Sequence, residues 1–216
     1  MDRIQTFHKL HDTGIAAVIR MQDIDKLLST VEAIRDGGID CIEITMTTPD
    51  ALNVIESARK NLPADVLVGV GSVIDGTTAR MAIDAGAQFV VSPILDEDII
   101  RTAHRYDKLC VCGGFTPTEI LQAWQAGSDV VKVFPAGTVG PKYLKDIKGP
   151  LPQIKLTPTG GVNLDTAQDF LAAGAEFLGV GSALLNKQAI AEQNWEKLTR
   201  IARKFIKEIG EFRASS

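Results

Sequence analysis

Short apolar runs alternate with helix-patterned segments along nearly the whole chain, and this alternation restricts the fold more than any other feature. The runs fall at 15–19, 39–44, 66–70, 88–91, 109–112, 129–134, 154–157 and 176–180. Apolar residues at helical spacing occupy the intervals at 23–36, 49–60, 75–85, 96–106, 117–126, 141–148 and 164–173. Runs rich in branched apolar residues without polar alternation are strands buried on both faces, and strands separated by helices are parallel. Eight such runs predict a (β/α)8 TIM barrel, with one domain spanning 1–216. A doubly wound open sheet is the competing fold, because 216 residues is close to the lower size of such barrels, about 200.

An internal repeat favours closure. Asp36-Gly37-Gly38, Asp84-Ala85-Gly86, Gln125-Ala126-Gly127 and Ala172-Ala173-Gly174 each precede an apolar run, so that Gly38, Gly86, Gly127 and Gly174 recur every 40 to 50 residues. Glycine at such a place supplies the left-handed residue that ends a helix. Thr116-Pro117-Thr118-Glu119 reads as a helix start with its cap, proline and returning glutamate, and Thr48-Pro49 reads as another. Segment 2–11 puts Ile4, Phe7 and Leu10 on one face and is expected to be an extra helix plugging the lower end of the barrel. Segment 190–209, with Ile190, Trp195, Leu198, Ile201, Ala202, Phe205 and Ile209, is expected to be a closing helix, and the tail 213–216 is expected to fray.

Charge and composition remove several classes of function. A net charge of −4 with no basic stripe argues against a nucleic-acid partner. No apolar run approaches the ~18 residues of a membrane span, and Met1-Asp2-Arg3-Ile4-Gln5 lacks the apolar core of a signal peptide, so a cytoplasmic location is expected. Cys41, Cys110 and Cys112 lie in strand-like runs and read as reduced core thiols. His8, His11 and His104 fall in polar helical segments far from any glycine-rich turn, so neither an imidazole base nor a metal cluster is expected.

One amine is out of place. Lys132 stands among Val130, Val131, Val133 and Phe134, where burial disfavours a charged ammonium, and a free amine is a nucleophile that forms Schiff bases with carbonyl substrates. The competing explanation is a strand-end lysine whose head reaches water. In a parallel barrel the site lies at the C-terminal ends of the strands. Polar residues there are Arg20 after the first strand, Glu43 within the second and Ser72 after the third. Alternation puts Val130, Lys132 and Phe134 on one face of their strand, and Cys41, Glu43 and Thr45 on one face of theirs. With both faces inward, an amine and a carboxylate share one interior, either as a reactive couple or as a structural ion pair. Thr159-Gly160-Gly161 and Gly179-Val180-Gly181-Ser182 follow the last two strands, where barrels commonly hold phosphate against backbone N–H groups and helix N-termini.

Together these stretches resemble one family. Glu43-Ile44-Thr45, Gly69-Val70-Gly71-Ser72, Val91-Ser92-Pro93, Thr116-Pro117-Thr118-Glu119, Lys132-Val133-Phe134-Pro135-Ala136, Pro158-Thr159-Gly160-Gly161-Val162 and Gly179-Val180-Gly181-Ser182 are similar, in register from about residue 14 to 185, to the KDPG/KHG aldolases. The resemblance implies a homotrimeric barrel that uses no cofactor. It implies cleavage of 2-keto-3-deoxy-6-phosphogluconate to pyruvate and glyceraldehyde 3-phosphate, or of 4-hydroxy-2-oxoglutarate to pyruvate and glyoxylate. Lys132 then matches the Schiff-base lysine and Glu43 the general acid/base. Substrate contacts are expected from Arg20, Thr45, Ser72, Pro93, Phe134, Thr159, Gly160, Gly161, Gly181 and Ser182. The chain departs from the pattern at Thr47, where many members carry Arg, and Arg20 is expected to supply that charge. Ser72 replaces the usual Thr, and Cys112-Gly113-Gly114-Phe115 replaces a Pro-Gly stretch.

Three rivals stay open at this level. A 2-keto-3-deoxy-6-phosphogalactonate aldolase would use the same amine. A sugar-phosphate isomerase or epimerase would share the phosphate turns but need no buried lysine. A catalytically silent barrel would bind a phosphometabolite without turnover.

Overall fold

The computed structural model describes residues 1–215. Its strands are β1 (Ile15–Ile19), β2 (Cys41–Thr45), β3 (Leu67–Gly71), β4 (Phe89–Val91), β5 (Leu109–Gly113), β6 (Val130–Val133), β7 (Leu156–Pro158) and β8 (Leu178–Val180). All pair in parallel in the order β7-β6-β5-β4-β3-β2-β1-β8. Bridges from Leu156 to Ala175 and from Thr159 to Gly179 join the two remaining edges, so the sheet is a nearly closed barrel and the open alternative is excluded.

The helices are α1 (Arg3–Thr13), α2 (Leu27–Asp36), α3 (Ala51–Asn61), α4 (Gly76–Asp84), α5 (Glu97–Arg105), α6 (Pro117–Gln125), α7 (Gly140–Lys148), α8 (Ala167–Ala172), α9 (Lys187–Ala191) and α10 (Trp195–Ser215). The strand runs look continuously apolar because both faces are covered. Ile15, Ile19, Ile42, Ile44, Val68, Val131 and Val133 pack outward under the helices. Ala16, Cys41, Leu67, Phe89, Leu109, Val130 and Phe177 point inward and form the lower interior. Leu10 and Phe7 of α1 close that interior from below, as the amphipathic pattern of 2–11 predicts. Lys9 and Thr13 of α1 are bonded to Asp40, the Thr13 hydroxyl at 2.9 Å.

The repeated glycines end helices in one common way. Gly38, Gly86, Gly127 and Gly174 have φ of 101, 106, 101 and 93°. At the first copy Gly38 N–H donates to Arg35 and Ile39 N–H to Ile34, and the other three copies repeat this crossed pair of bonds.

Three local expectations are corrected. Segment 190–209 is not one helix: Gln193 takes φ 54°, and Asn194 accepts from Lys197 N–H at 3.1 Å to start α10 afresh. The tail is ordered as far as Ser215 within α10, where Arg213 donates to the carbonyls of His11 and Asp12; Ser216 lies outside the described residues. Thr48-Pro49 does not cap a helix either. α3 begins at Ala51 behind Asp50, whose φ is 54°, while the Thr48 hydroxyl is buried beside that of Thr45.

Candidate active site

The strand alternation places Glu43 and Lys132 inside the barrel, above the apolar lower layer. Lys132 is 4% exposed and Glu43 is 3% exposed. They form no salt bridge with each other. The Lys132 ammonium has neither an ion pair nor a hydrogen bond among the described residues, and its Nζ sits 5.3 Å from the centroid of the Phe134 ring. One carboxylate oxygen of Glu43 is fully buried without a hydrogen-bond partner. A structural ion pair therefore does not account for either residue, and an unpaired buried polar atom of this kind costs about 1–3 kcal/mol.

Burial raises the Glu43 carboxyl above its usual pKa, and the charges of Lys132 and then Arg20 oppose that shift without reversing it. The side chain fits only because Gly71, on the neighbouring strand, has no Cβ. An atom there would stand 2.6 Å from Glu43 Cδ and 2.7 Å from Cγ. Gly69, one inward position below, leaves the same kind of space for the Phe89 ring.

The other expected residues line the same end of the barrel. Arg20 is exposed and donates to the Ser72 hydroxyl at 3.5 Å, where Ser72 holds φ 58°. Thr45 is buried directly beyond Glu43 on the inward face, and its hydroxyl lies 2.9 Å from that of Thr47. Thr47 thus supports Thr45 rather than supplying a charge. Pro93 packs its turn against Gly113 across the neighbouring strand end. Phe134 is 40% exposed. Thr159 is buried over Gly179, and Gly181 and Ser182 follow on β8, Ser182 exposed.

The glycine turns expected after β7 and β8 are present, with one correction to their surroundings. The helices that follow them begin only at Ala167 and Lys187, so no helix N-terminus stands at Gly161 or Gly181. Gly160 and Gly161 have φ of 82 and 83°, and a Cβ at Gly161 would lie 2.6 Å from Gly137 Cα. These glycines are required by the turn and by its contact with the segment after Lys132, whatever else they bind. Sequence reasoning did not see the space that Gly71 provides for Glu43. The signal was there: Gly69 and Gly71 are two apart on one inward face of a strand.

The remaining groups do not compete for the chemistry. Burial pushes the Cys41 thiol up to about 12, which keeps it protonated and inert. Among the described residues no cluster of His, Cys, Asp or Glu is arranged to hold a metal, and no helix is long and apolar enough to cross a membrane. A groove of about 590 Å³ between α2 and α10 and a hollow of about 200 Å³ beneath the barrel lie away from Lys132 and Glu43.

The chain is similar to known proteins. A family model described as "Aldolase: KDPG and KHG aldolase" matches residues 7–201. A 2-dehydro-3-deoxy-phosphogluconate aldolase of Pseudomonas aeruginosa is 32% identical over 203 residues, covering 94% of this chain and 92% of that protein. A 2-dehydro-3-deoxy-6-phosphogalactonate aldolase of Escherichia coli is 30% identical over 194 residues, 89% of this chain and 93% of that protein. A crystal structure of KDPG aldolase from Legionella pneumophila, with pyruvate captured as a covalent carbinolamine intermediate, superposes with a TM-score of 0.84 at 28% identity and covers 91% of this chain and 96% of that one.

Proposed function

The chain belongs to the KDPG and KHG aldolase family and is a lyase, and on that premise we propose that it cleaves 2-keto-3-deoxy-6-phosphogluconate through a Schiff base on Lys132. The observation that carries this reading is the buried Lys132 amine without an ion pair, on the same interior as a buried, unpartnered Glu43.

The chemistry follows from these two groups. The deprotonated amine adds to the C2 ketone, and loss of water from the carbinolamine leaves an iminium. Glu43, held toward its protonated form by burial, donates to the departing hydroxyl and is left as a carboxylate. That carboxylate then takes the C4 hydroxyl proton, through a water. The C3–C4 bond breaks, its electron pair neutralises the iminium to an enamine, and the aldehyde leaves. Return of the proton to C3 regenerates an iminium, whose hydrolysis releases pyruvate and the free amine. The iminium is the electron sink, so these steps call for no metal.

Arg20 beside Ser72 is suited to the substrate carboxylate, and the Thr159–Gly161 and Gly181–Ser182 turns to a terminal phosphate, so the phosphorylated six-carbon acid engages both ends. The shorter 4-hydroxy-2-oxoglutarate engages one and is expected to be a poorer substrate. Galactonate-type stereochemistry at C4 is a second reading, supported by the 30% identity to a 2-dehydro-3-deoxy-6-phosphogalactonate aldolase. A homotrimer in the cytoplasm completes the proposal.

Borohydride reduction in the presence of pyruvate tests it. Mass spectrometry should find the reduced adduct on Lys132, and Lys132→Ala should fold, lose turnover and trap nothing. An adduct at another lysine, or turnover by Lys132→Ala, refutes the assignment. An isomerase or a silent barrel would form no adduct.

A further inference from the structure

We propose that Tyr143 is a positioning residue for Lys132, which fixes the turn against which the amine's strand is set; the inference rests on the Schiff-base reading above. Gly113 is the register partner of Lys132, and Gly114 N–H donates to the Lys132 carbonyl at 3.0 Å. On its other side Gly113 N–H donates to the Ile94 carbonyl at 3.0 Å. Neither glycine has room for a side chain: a Cβ at Gly113 would stand 2.7 Å from Ile94 N, and one at Gly114 would stand 2.9 Å from Ile120 N. The turn after β5 is therefore bare backbone packed between neighbours, held at these two positions by backbone bonds alone and by no side chain of its own.

Two side chains reach in to fix it. Glu119 accepts from Phe115 N–H at 3.0 Å and from Thr116 N–H at 2.8 Å. Tyr143, on α7, donates its hydroxyl to the Phe115 carbonyl and stacks its ring on the Phe115 ring, with centroids 6.0 Å apart and planes 25° from parallel. α7 follows β6, so Tyr143 reaches from the element after Lys132 back to the turn that precedes its strand. The path from the phenol to the amine's own residue is Tyr143, Phe115, Gly114, Lys132. Burial, and then the charge of Glu119, raise the phenol above its usual value, so it stays a donor over the working pH range. Leu144 and Ile147 anchor the helix in the core, and the partly buried Tyr143 ring packs beside them with its hydroxyl turned to the Phe115 carbonyl.

The test is Tyr143→Phe, which keeps the ring and removes only the donor. The rate of borohydride-trapped pyruvate adduct formation, and kcat for the retro-aldol, should fall about three- to tenfold, the factor for one neutral hydrogen bond. KM should hold, and at long times the adduct should still reach the wild-type stoichiometry. Tyr143→Leu, which also removes the stacked ring, should fall further. A purely structural role would instead lower the melting temperature and the reactive fraction, leaving the rate per reactive site at the wild-type value. That pattern, or wild-type rates in Tyr143→Phe, overturns the inference. Absence of an adduct in the wild type refutes the Schiff-base reading; a wild-type adduct formed equally fast in Tyr143→Phe refutes only the role of Tyr143.

Discussion

Adding one methyl group at Gly71 should disable the enzyme while leaving it folded. Gly71 is not in the left-handed region, so Gly71→Ala brings no backbone strain, and the whole effect comes from the space its Cβ takes. That atom would stand 2.6 Å from Glu43 Cδ, against an ordinary contact of 3.4–4 Å, so the carboxyl group must retreat by about 0.8 Å or more. Glu43 ends a flexible side chain and can move, which holds the stability loss near the lower end of the ~1–3 kcal/mol for overpacking. Catalysis is less tolerant, because a misplacement of ~1 Å can cost ~100-fold. The expected result is a fall of about 100-fold in kcat, with KM and melting temperature little changed. Pyruvate release followed by a coupled lactate dehydrogenase assay gives the rate, and thermal melts give the stability. The pairing is tested by repeating the substitution on Glu43→Ala: with the carboxylate gone, Gly71→Ala should cost almost nothing in stability. An undiminished kcat in Gly71→Ala, or an equal stability loss in both backgrounds, would refute the account of Gly71 as the space that holds Glu43.

Glu43→Gln should be inactive yet more stable than wild type at alkaline pH. The carboxyl of Glu43 titrates higher in the folded chain than in the unfolded one, so the folded state is penalised as pH rises from the unfolded value of ~4.3 through the folded one. The gain in the Gln variant should be ~1–3 kcal/mol near pH ~8 and vanish near pH ~4; a gain independent of pH, or none, contradicts the sign. Arg20→Leu should raise KM for phosphorylated and unphosphorylated substrates alike, by about 10- to 150-fold for a charged contact, and an unchanged KM places Arg20 outside the site. Ser182→Asp sets a negative charge where the phosphate is expected and should raise KM for the phosphorylated substrate alone; equal effects on both substrates would remove Ser182 from the phosphate turn. Gly161→Val is a poor substitute for this test, since its side chain would strike Gly137 beyond Lys132 and disturb both ends of the pocket.

The barrel was legible because its signals are local and repeated. Each strand is a short apolar run, and the glycine that ends a helix recurs at Gly38, Gly86, Gly127 and Gly174 with the conformation only glycine takes readily. Period-two alternation was enough to bring Lys132 and Glu43 to one interior. What stayed hidden depends on partners distant in sequence. Thr48 looked like a helix cap, but its hydroxyl is buried against Thr45 in the site wall. The stripe from Ile190 to Ile209 is continuous in pattern, yet Gln193 and Asn194 break and restart the helix through backbone conformation that the stripe does not encode. The role of Gly71 depends on the length of a side chain on the adjacent strand, and that of Tyr143 on a carbonyl in another loop.

The bond between Arg213 and the end of α1 sets a clock on how the molecule is made. The carbonyls of His11 and Asp12 precede their donor by 202 and 201 residues, and a ribosome adding about 5–20 residues per second needs about 10–40 s to cover that interval. α1 is thus among the first helices synthesised, and although Asp40 can bind its Lys9 and Thr13 early, its last carbonyls wait for the end of α10. Until Phe177 completes the lower interior, Phe7 and Leu10, which seal the barrel from below, present an apolar face to whatever surrounds the nascent chain. A holdase that favours such faces has its longest opportunity at this helix, and hydrogen exchange on chains halted before Arg213 would read the delay as missing protection in α1.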